Sequence, residues 1–372
     1  MFHNWLSFFK KDTKTFRERT LLSLSEMGYL QKKWAYKHPL SPLSQEEKKV
    51  VLEIDNVTNS LNQNNLTRTK SYLDLYLRHP ELHWSFLAHM VSRNAGWNMT
   101  DLKGSLVNGL LSAKQVSLFF GFLEKANHLI FQDAFPQLLL YEKSKIEKKD
   151  YSYLLPHFHI SCFMIPIWQL FLKNSQSMKE VLTVSLIINE QHLLEEQVMK
   201  NEFYKKNIIG SFTFQLQELL GLTHILFPHK TPHDIQLSGL TVQQFSHVNS
   251  RVEIGKQLYL QLFHHIKEGA VSFAESTEHT GSRADYYPDF FSAVKSSSKI
   301  YSPALPAVWP DLHHSNTPNK DWFEGSSKVI QFYSLSKRPE LNMMTVKHLA
   351  NLVKLSGLHD LQQLIPSEKQ AY

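Results

Sequence analysis

Apolar residues recur along this chain mainly at three- and four-residue spacing, the period of a helix with one buried face. Four segments carrying that period follow a Ser or Thr with Glu or Gln three residues on: Ser44/Glu47, Ser112/Gln115, Ser177/Glu180 and Thr241/Gln244. Such a pair satisfies two backbone donors at a helix start. After Thr241, for example, Phe245, Val248, Val252, Tyr259 and Phe263 keep the period. Helices are expected near residues 15–34, 45–62, 67–78, 80–94, 100–110, 113–132, 134–147, 159–173, 178–200, 203–226, 242–278 and 344–355. Clean period-two runs are scarce, and Asn-Gly or Asp-Gly hairpin turns are nearly absent, Asn108-Gly109 excepted. Lys328 to Tyr333 (KVIQFY) reads as a strand without a sheet to join.

Pro and Gly mark breaks at Pro228 to Gly239 and again from Gly281 to Gly325. The second stretch carries Tyr286, Tyr287, Phe290, Phe291, Tyr301, Trp309 and Trp322, too many rings for a free linker. The expected fold is therefore all-α, an irregular multi-helix bundle with a Pro- and aromatic-rich strap near the C-terminus. Residues 1–15 read as a flexible N-terminus, 16–325 as a single helical domain, and 326–372 as a C-terminal helical tail. No solenoid repeat or low-complexity tract interrupts the chain.

Composition narrows the setting. Of 372 residues, 42% are apolar, which argues against disorder. One cysteine, Cys162, allows no internal disulfide and suits a reducing, cytoplasmic compartment. Its apolar surroundings, ISCFM, should raise the thiol pKa and blunt its reactivity. Met1 to Lys11 runs from apolar to basic, the reverse of a secretory signal. It reads as a loose terminus, or as a membrane-surface contact through Phe2, Trp5, Phe8 and Phe9. Leu154 to Leu172 is the most apolar stretch, but Pro156, His157, His159, Pro166 and Gln169 make it buried core rather than a transmembrane segment. The net charge of +6 is spread out, which argues against nucleic acid as a partner.

Several chemistries lack their motifs. The chain has no Gly-rich phosphate loop, dinucleotide fingerprint, Gly-x-Ser-x-Gly elbow, His-Glu-x-x-His pair or Cys pair. What remains are polar residues in apolar company. On the helix expected at 80–94, Ser85, His89, Ser92 and Arg93 form the one arc not covered by apolar side chains. Asn94-Ala-Gly96 reads as a left-handed helix stop, followed by Asn98, Asp101 and Lys103. Arg93 could hold an anion, and His89 could move a proton near neutral pH. Alternatively, Arg93 caps carbonyls and Asp101 pairs with Arg93 or Lys103.

Asn189, Glu190, Gln191 and His192 sit within the apolar run from Val181 to Leu194. A buried Glu190 must be paired or protonated, and a clasp with Arg93 is one solution. His192 precedes Glu195 and Glu196 at chelating spacing, but that spacing is common by chance and no metal is assigned. Arg283 and Asp285 follow Gly281 in an irregular loop.

The runs HPELHWSFLAHMVSRNAGWNMTDLKG from His79, INEQHLLEEQV from Ile188, LGLTHILFP from Leu220, HTGSRADYYPDFF from His279 and IYSPALPAVWPDL from Ile300 resemble a family of uncharacterised proteins of Bacillus and related Gram-positive bacteria. That family is known only as a domain of unknown function, and the resemblance covers about residues 20 to 325. It implies a bacterial cytoplasmic setting and brings no activity, cofactor or catalytic residue.

The expectation is a small anionic ligand in an internal polar pocket. Arg93, Asn94, Asn98, Asp101, His192 and Arg283 would bind it, with His89 and Glu190 as candidates for acid–base chemistry. Whether the chain is an enzyme, and with which cofactor, stays open. The alternatives are a non-enzymatic interaction protein, with a protein or nucleic-acid partner, and a membrane-peripheral protein.

Overall fold

The computed structural model describes residues 19–36, 40–107, 111–209, 224–242, 247–296, 298–314, 320–325, 329–335 and 340–353. The N-terminal segment singled out for membrane contact lies outside them, as do Asn108-Gly109 and Gln244.

Helices dominate: α1 (Leu24–Trp34), α2 (Gln45–Leu61), α3 (Asn65–Arg78), α4 (His83–Asp101), α5 (Ala113–Glu147), α6 (Met164–Lys173), α7 (Lys179–Leu194), α8 (Val248–Gln261) and α9 (Lys267–Ser276). The boxes at Ser44/Glu47 and Ser112/Gln115 form as expected, and Ser23/Glu26 adds a third. Two others do not. Helix α7 begins after Met178 with no side-chain cap, and Thr241 lies in a strand, its hydroxyl bonded to His224.

Helix α4 is central, packing against α3, α5, α7 and α8. It runs straight through Gly96, so the expected stop is absent. A Cβ at residue 96 would lie 2.4 Å from Asn65 Oδ1 and 2.5 Å from His279 Nε2. The glycine is there for close approach, not for a turn. Gly96→Ala should therefore destabilise the fold by about 3 kcal/mol, because overpacking and a broken buried hydrogen bond outweigh the gain in helix propensity. Denaturant unfolding checks this, and an unchanged midpoint would refute it.

Helix α5 also continues where a break was expected, with Pro136 inside it. The missing N–H and ring clash cost about 3 kcal/mol. Burial of Phe131, Phe135, Leu138 and Leu140 on both sides outweighs that, at roughly 2 kcal/mol each.

The break expected at Pro228 to Gly239 is an antiparallel ribbon, β2 (His224–Lys230) with β3 (Ile235–Thr241). Leu226 N–H points outward to Asn94 Oδ1, so two residues on Pro228 also faces outward and costs no ladder bond. Gly239, at φ +147°, passes so close to Ile225 that no side chain fits. The expected helix at 203–226 thus ends in strand residues, and its centre lies outside the described residues. Smaller pairs are β1 (Arg19–Thr20) with β6 (Ser334–Leu335), antiparallel, and β4 (Phe291–Ser292) with β5 (Ile300–Tyr301), parallel. Of the piece expected as strand from Lys328 to Tyr333, Ile330–Tyr333 is a 3-10 turn leading into β6.

The strap lies on the helices as expected. Trp309 stacks on Phe120 at 3.9 Å, and Trp322 stacks on His192 at 4.1 Å. Leu154, Leu155, Phe163 and Met164 are core residues. Among the described residues, no helix is long and apolar enough to cross a membrane.

Candidate functional site

The sequence-predicted residues fall into three groups. In the first, His89 and Arg93 are both buried on α4. His89 Nδ1–H donates to the Thr69 carbonyl at 2.8 Å, leaving Nε2 to accept from Arg93 Nε at 3.1 Å. These two bonds fix a neutral tautomer and occupy both ring nitrogens. Burial and the neighbouring Arg93 hold His89 well below the usual histidine range. Arg93 also donates to the carbonyls of Thr277 and Ala274 at the end of α9, and lies over the Phe273 ring. It caps a helix, as the alternative reading supposed. Burial lowers its pKa to about 10, and Nη1 has no partner among the described residues.

The second group holds the C-terminal turn of α4. Asn94 pairs with the edge of β2, donating to His224 O and accepting from Leu226 N–H. Asp101 pairs with Arg283, accepting from Nε at 3.0 and 2.9 Å on its two oxygens and from Nη2 at 2.5 Å, rather than with Arg93 or Lys103. Asn98 Oδ1 accepts from Arg283 Nη2 at 3.4 Å, and the Tyr286 hydroxyl, a third partner, accepts from Nη1. The loop is fixed further by Asp285, which accepts from Thr280 N–H and Oγ1 and from Trp97 Nε1.

Glu190 and His192 form the third. Glu190 accepts from Gln191, and it makes no ion pair with Arg93 among the described residues. Burial pushes its carboxyl up to about 8, with nearby Asp133 adding to the effect. His192 donates to the Ile188 carbonyl and stacks on Trp322. No group of three or more His, Cys, Asp or Glu among the described residues is arranged to hold a metal. Cys162 fits its expected inertness, since burial and Asp321 push the thiol up to about 12.

A different set of residues lines an open cleft of about 380 Å³. Its lining comprises Arg19, His83, Gln176, Ser177, Lys179, Glu180, Tyr259, Phe263, His264 and Lys267. Four remote segments meet here: β1, the start of α4, the first turn of α7 and the junction of α8 with α9. That junction, Leu262–Ile266, is a π-helical turn. Such turns often accompany functional sites, but Glu195–Met199 and Lys205–Ile209 are π-helical too, so the turn alone marks nothing.

Electrostatics distinguish the cleft. The α7 N-terminus is uncapped by any side chain and lies in the lining. Its first amides carry unpaired donors and the positive end of the helix dipole. Arg19, Lys179 and Lys267 add three cations against one lining carboxylate, Glu180. Glu180 is held below the usual range by His264 at 3.7 Å and by Arg19 at 2.7 Å. The ammonium groups of Lys179 and Lys267 line the cleft without a hydrogen bond or ion pair to any described residue. Burial and these two lysines depress His83 to about 3, so its ring is neutral at physiological pH. Sequence reading missed the cleft because the residues are spread from 19 to 267 and each looks ordinary locally. The one local signal is Met178, a poor N-cap on a long apolar helix.

A family model described as "Protein of unknown function (DUF2515)" matches residues 60–352. A curated relative, "Uncharacterized protein YppC" of Bacillus subtilis (strain 168), is 36% identical over 318 residues, covering 85% of this chain and 96% of the relative. No solved structure matches the chain. The chain belongs to the DUF2515 family, and all the cleft residues except Arg19 lie within the matched span.

Proposed function

We propose that this DUF2515 protein binds a small anion of the phosphate type, and that it does so in the open cleft rather than at the interior residues picked out by sequence. One observation carries the reading: two unpaired lysines, Lys179 and Lys267, flank the uncapped start of α7 in a single cavity. A helix N-terminus with adjoining cations is a ready anion site. The interior residues His89, Arg93, Asn94, Asn98, Asp101 and Arg283 form the frame in this reading. Their bonds tie α4 to α3, to the end of α9 and to the 279–286 loop. Glu190 and His192 belong to the packing of α7.

The test is calorimetric titration of the full chain with inorganic pyrophosphate. Each charge-assisted contact is worth about 1.5–3 kcal/mol, roughly tenfold or more in affinity. Lys179→Ala with Lys267→Ala should therefore weaken binding by at least a hundredfold while leaving the melting temperature without ligand nearly unchanged. Undiminished binding by the double variant, or none by the native chain, overturns the reading.

A further inference from the structure

The cleft has a second wall whose chemistry a bare anion would not use. His83 stacks on Phe263 at 3.9 Å between ring centroids and 14° between planes. Tyr259 lies 5.2 Å from Phe263, and its hydroxyl bonds to His83 Nδ1 at 3.0 Å. Behind them, Tyr76 and Phe86 meet Phe263 edge-on at 6.4 and 6.2 Å. The stack is thus supported from the core, while His83 and Phe263 remain part-exposed in the lining.

Size gives an independent argument. At about 380 Å³ the cleft falls within the range of roughly 300–1,000 Å³ typical of small-molecule sites. A phosphate group, a few times the roughly 30 Å³ share of a water molecule, fills only part of it. His83, Tyr259 and Phe263 supply the aromatic part of the lining beside its charged groups. Aromatic side chains together with a few placed polar groups are how sites orient an organic ligand.

Resting on the anion-binding reading above, we infer that the ligand is a phosphate ester carrying a planar aromatic or heteroaromatic ring. The phosphate sits at the α7 N-terminus between Lys179 and Lys267, and the ring extends the His83–Phe263 stack. Offset stacking on a rigid, pre-formed ring pair rewards a flat π-system over an equally bulky saturated group. Ring-on-aromatic stacking at open sites is worth about 1–3 kcal/mol, from fivefold to more than a hundredfold in affinity.

The experiment compares phenyl phosphate, cyclohexyl phosphate and inorganic phosphate by calorimetry on the full chain. Phenyl phosphate should bind at least tenfold more tightly than cyclohexyl phosphate. His83→Ala should reduce that preference to less than twofold, with far-ultraviolet circular dichroism showing that the variant is folded. Equal affinity for the two esters in the native chain overturns the inference and leaves the anion site standing. If none of the three binds, the anion-binding reading falls with it. Should His83→Ala fail to fold, the comparison of the two esters on the native chain decides alone.

Discussion

Acidification from pH 6.5 to 4.5 should strongly destabilise this protein, with the loss beginning well above the pH at which surface carboxylates are half protonated. Nine histidines among the described residues sit below their ordinary pKa in the fold, all chiefly by burial: His83 and His128 at about 3, His348 at about 2, His224 at about 4, and His89, His157, His192, His229 and His279 also lowered. Below pH 6.5 the unfolded chain takes up protons on these rings that the folded chain refuses. Stability therefore falls as pH falls. Two buried acids oppose this. Glu190, at about 8, and Asp133, at about 7, keep their protons in the fold and lose them on unfolding. Their contribution is present at low pH and lost as pH rises through 7 to 8. The lowered histidines outnumber the two raised acids, and a histidine lowered to about 3 contributes roughly 2 kcal/mol of loss between pH 6.5 and 4.5, so the net is a loss of several kcal/mol, a large part of the stability of a typical fold. Melting temperature against pH should peak near 6.5 and decline on both sides. A flat profile between 6.5 and 4.5 would mean that these imidazoles are protonated within the fold as readily as in the unfolded chain.

Removing one carboxylate should be nearly as damaging. Glu124 and Arg68 are among the least exposed residues of the chain, and they form a two-bond ion pair to which Asn62 adds a bond from Arg68 Nε at 2.6 Å. Glu124→Ala leaves a buried guanidinium without its counter-ion, at a cost of about 3–5 kcal/mol. Glu124→Gln keeps an acceptor but removes the charge, and should fall in between. Replacing both partners, Arg68→Met with Glu124→Leu, should recover most of the loss, because the damage comes from the stranded charge rather than from missing contact. Denaturant unfolding at constant m-value reads all three. If the double variant is as unstable as Glu124→Ala, the pair contributes through packing instead.

How much of this was legible in the sequence depends on how local each cause is. Helix period and side-chain caps are local, and α2 and α5 start where Ser44 and Ser112 place them. The buried polar arc of α4 was also legible, since Ser85, His89, Ser92 and Arg93 are all buried. Their partners were not. Arg93 is capped onto residues 274 and 277, and Asp101 meets Arg283, contacts separated by more than 180 positions. Gly96 misled because a glycine serves equally for a left-handed turn and for close approach, and only the neighbouring Asn65 and His279 decide between them. The β2–β3 ribbon was hidden by Pro228 and Gly239, which look like breakers until one edge of each strand is known. The cleft was the least legible feature, because its cations, Arg19, Lys179 and Lys267, are far apart in the chain and the amides at the start of α7 belong to the backbone.

A crystal structure of the full chain grown with phenyl phosphate tests the cleft most directly. The expected result is a phosphate within hydrogen-bond distance of the first α7 amides and of Lys179 and Lys267, with the ring laid against His83. A phosphate seated instead beside Arg93 in the interior, or a cleft left without one at saturating ligand, would contradict it.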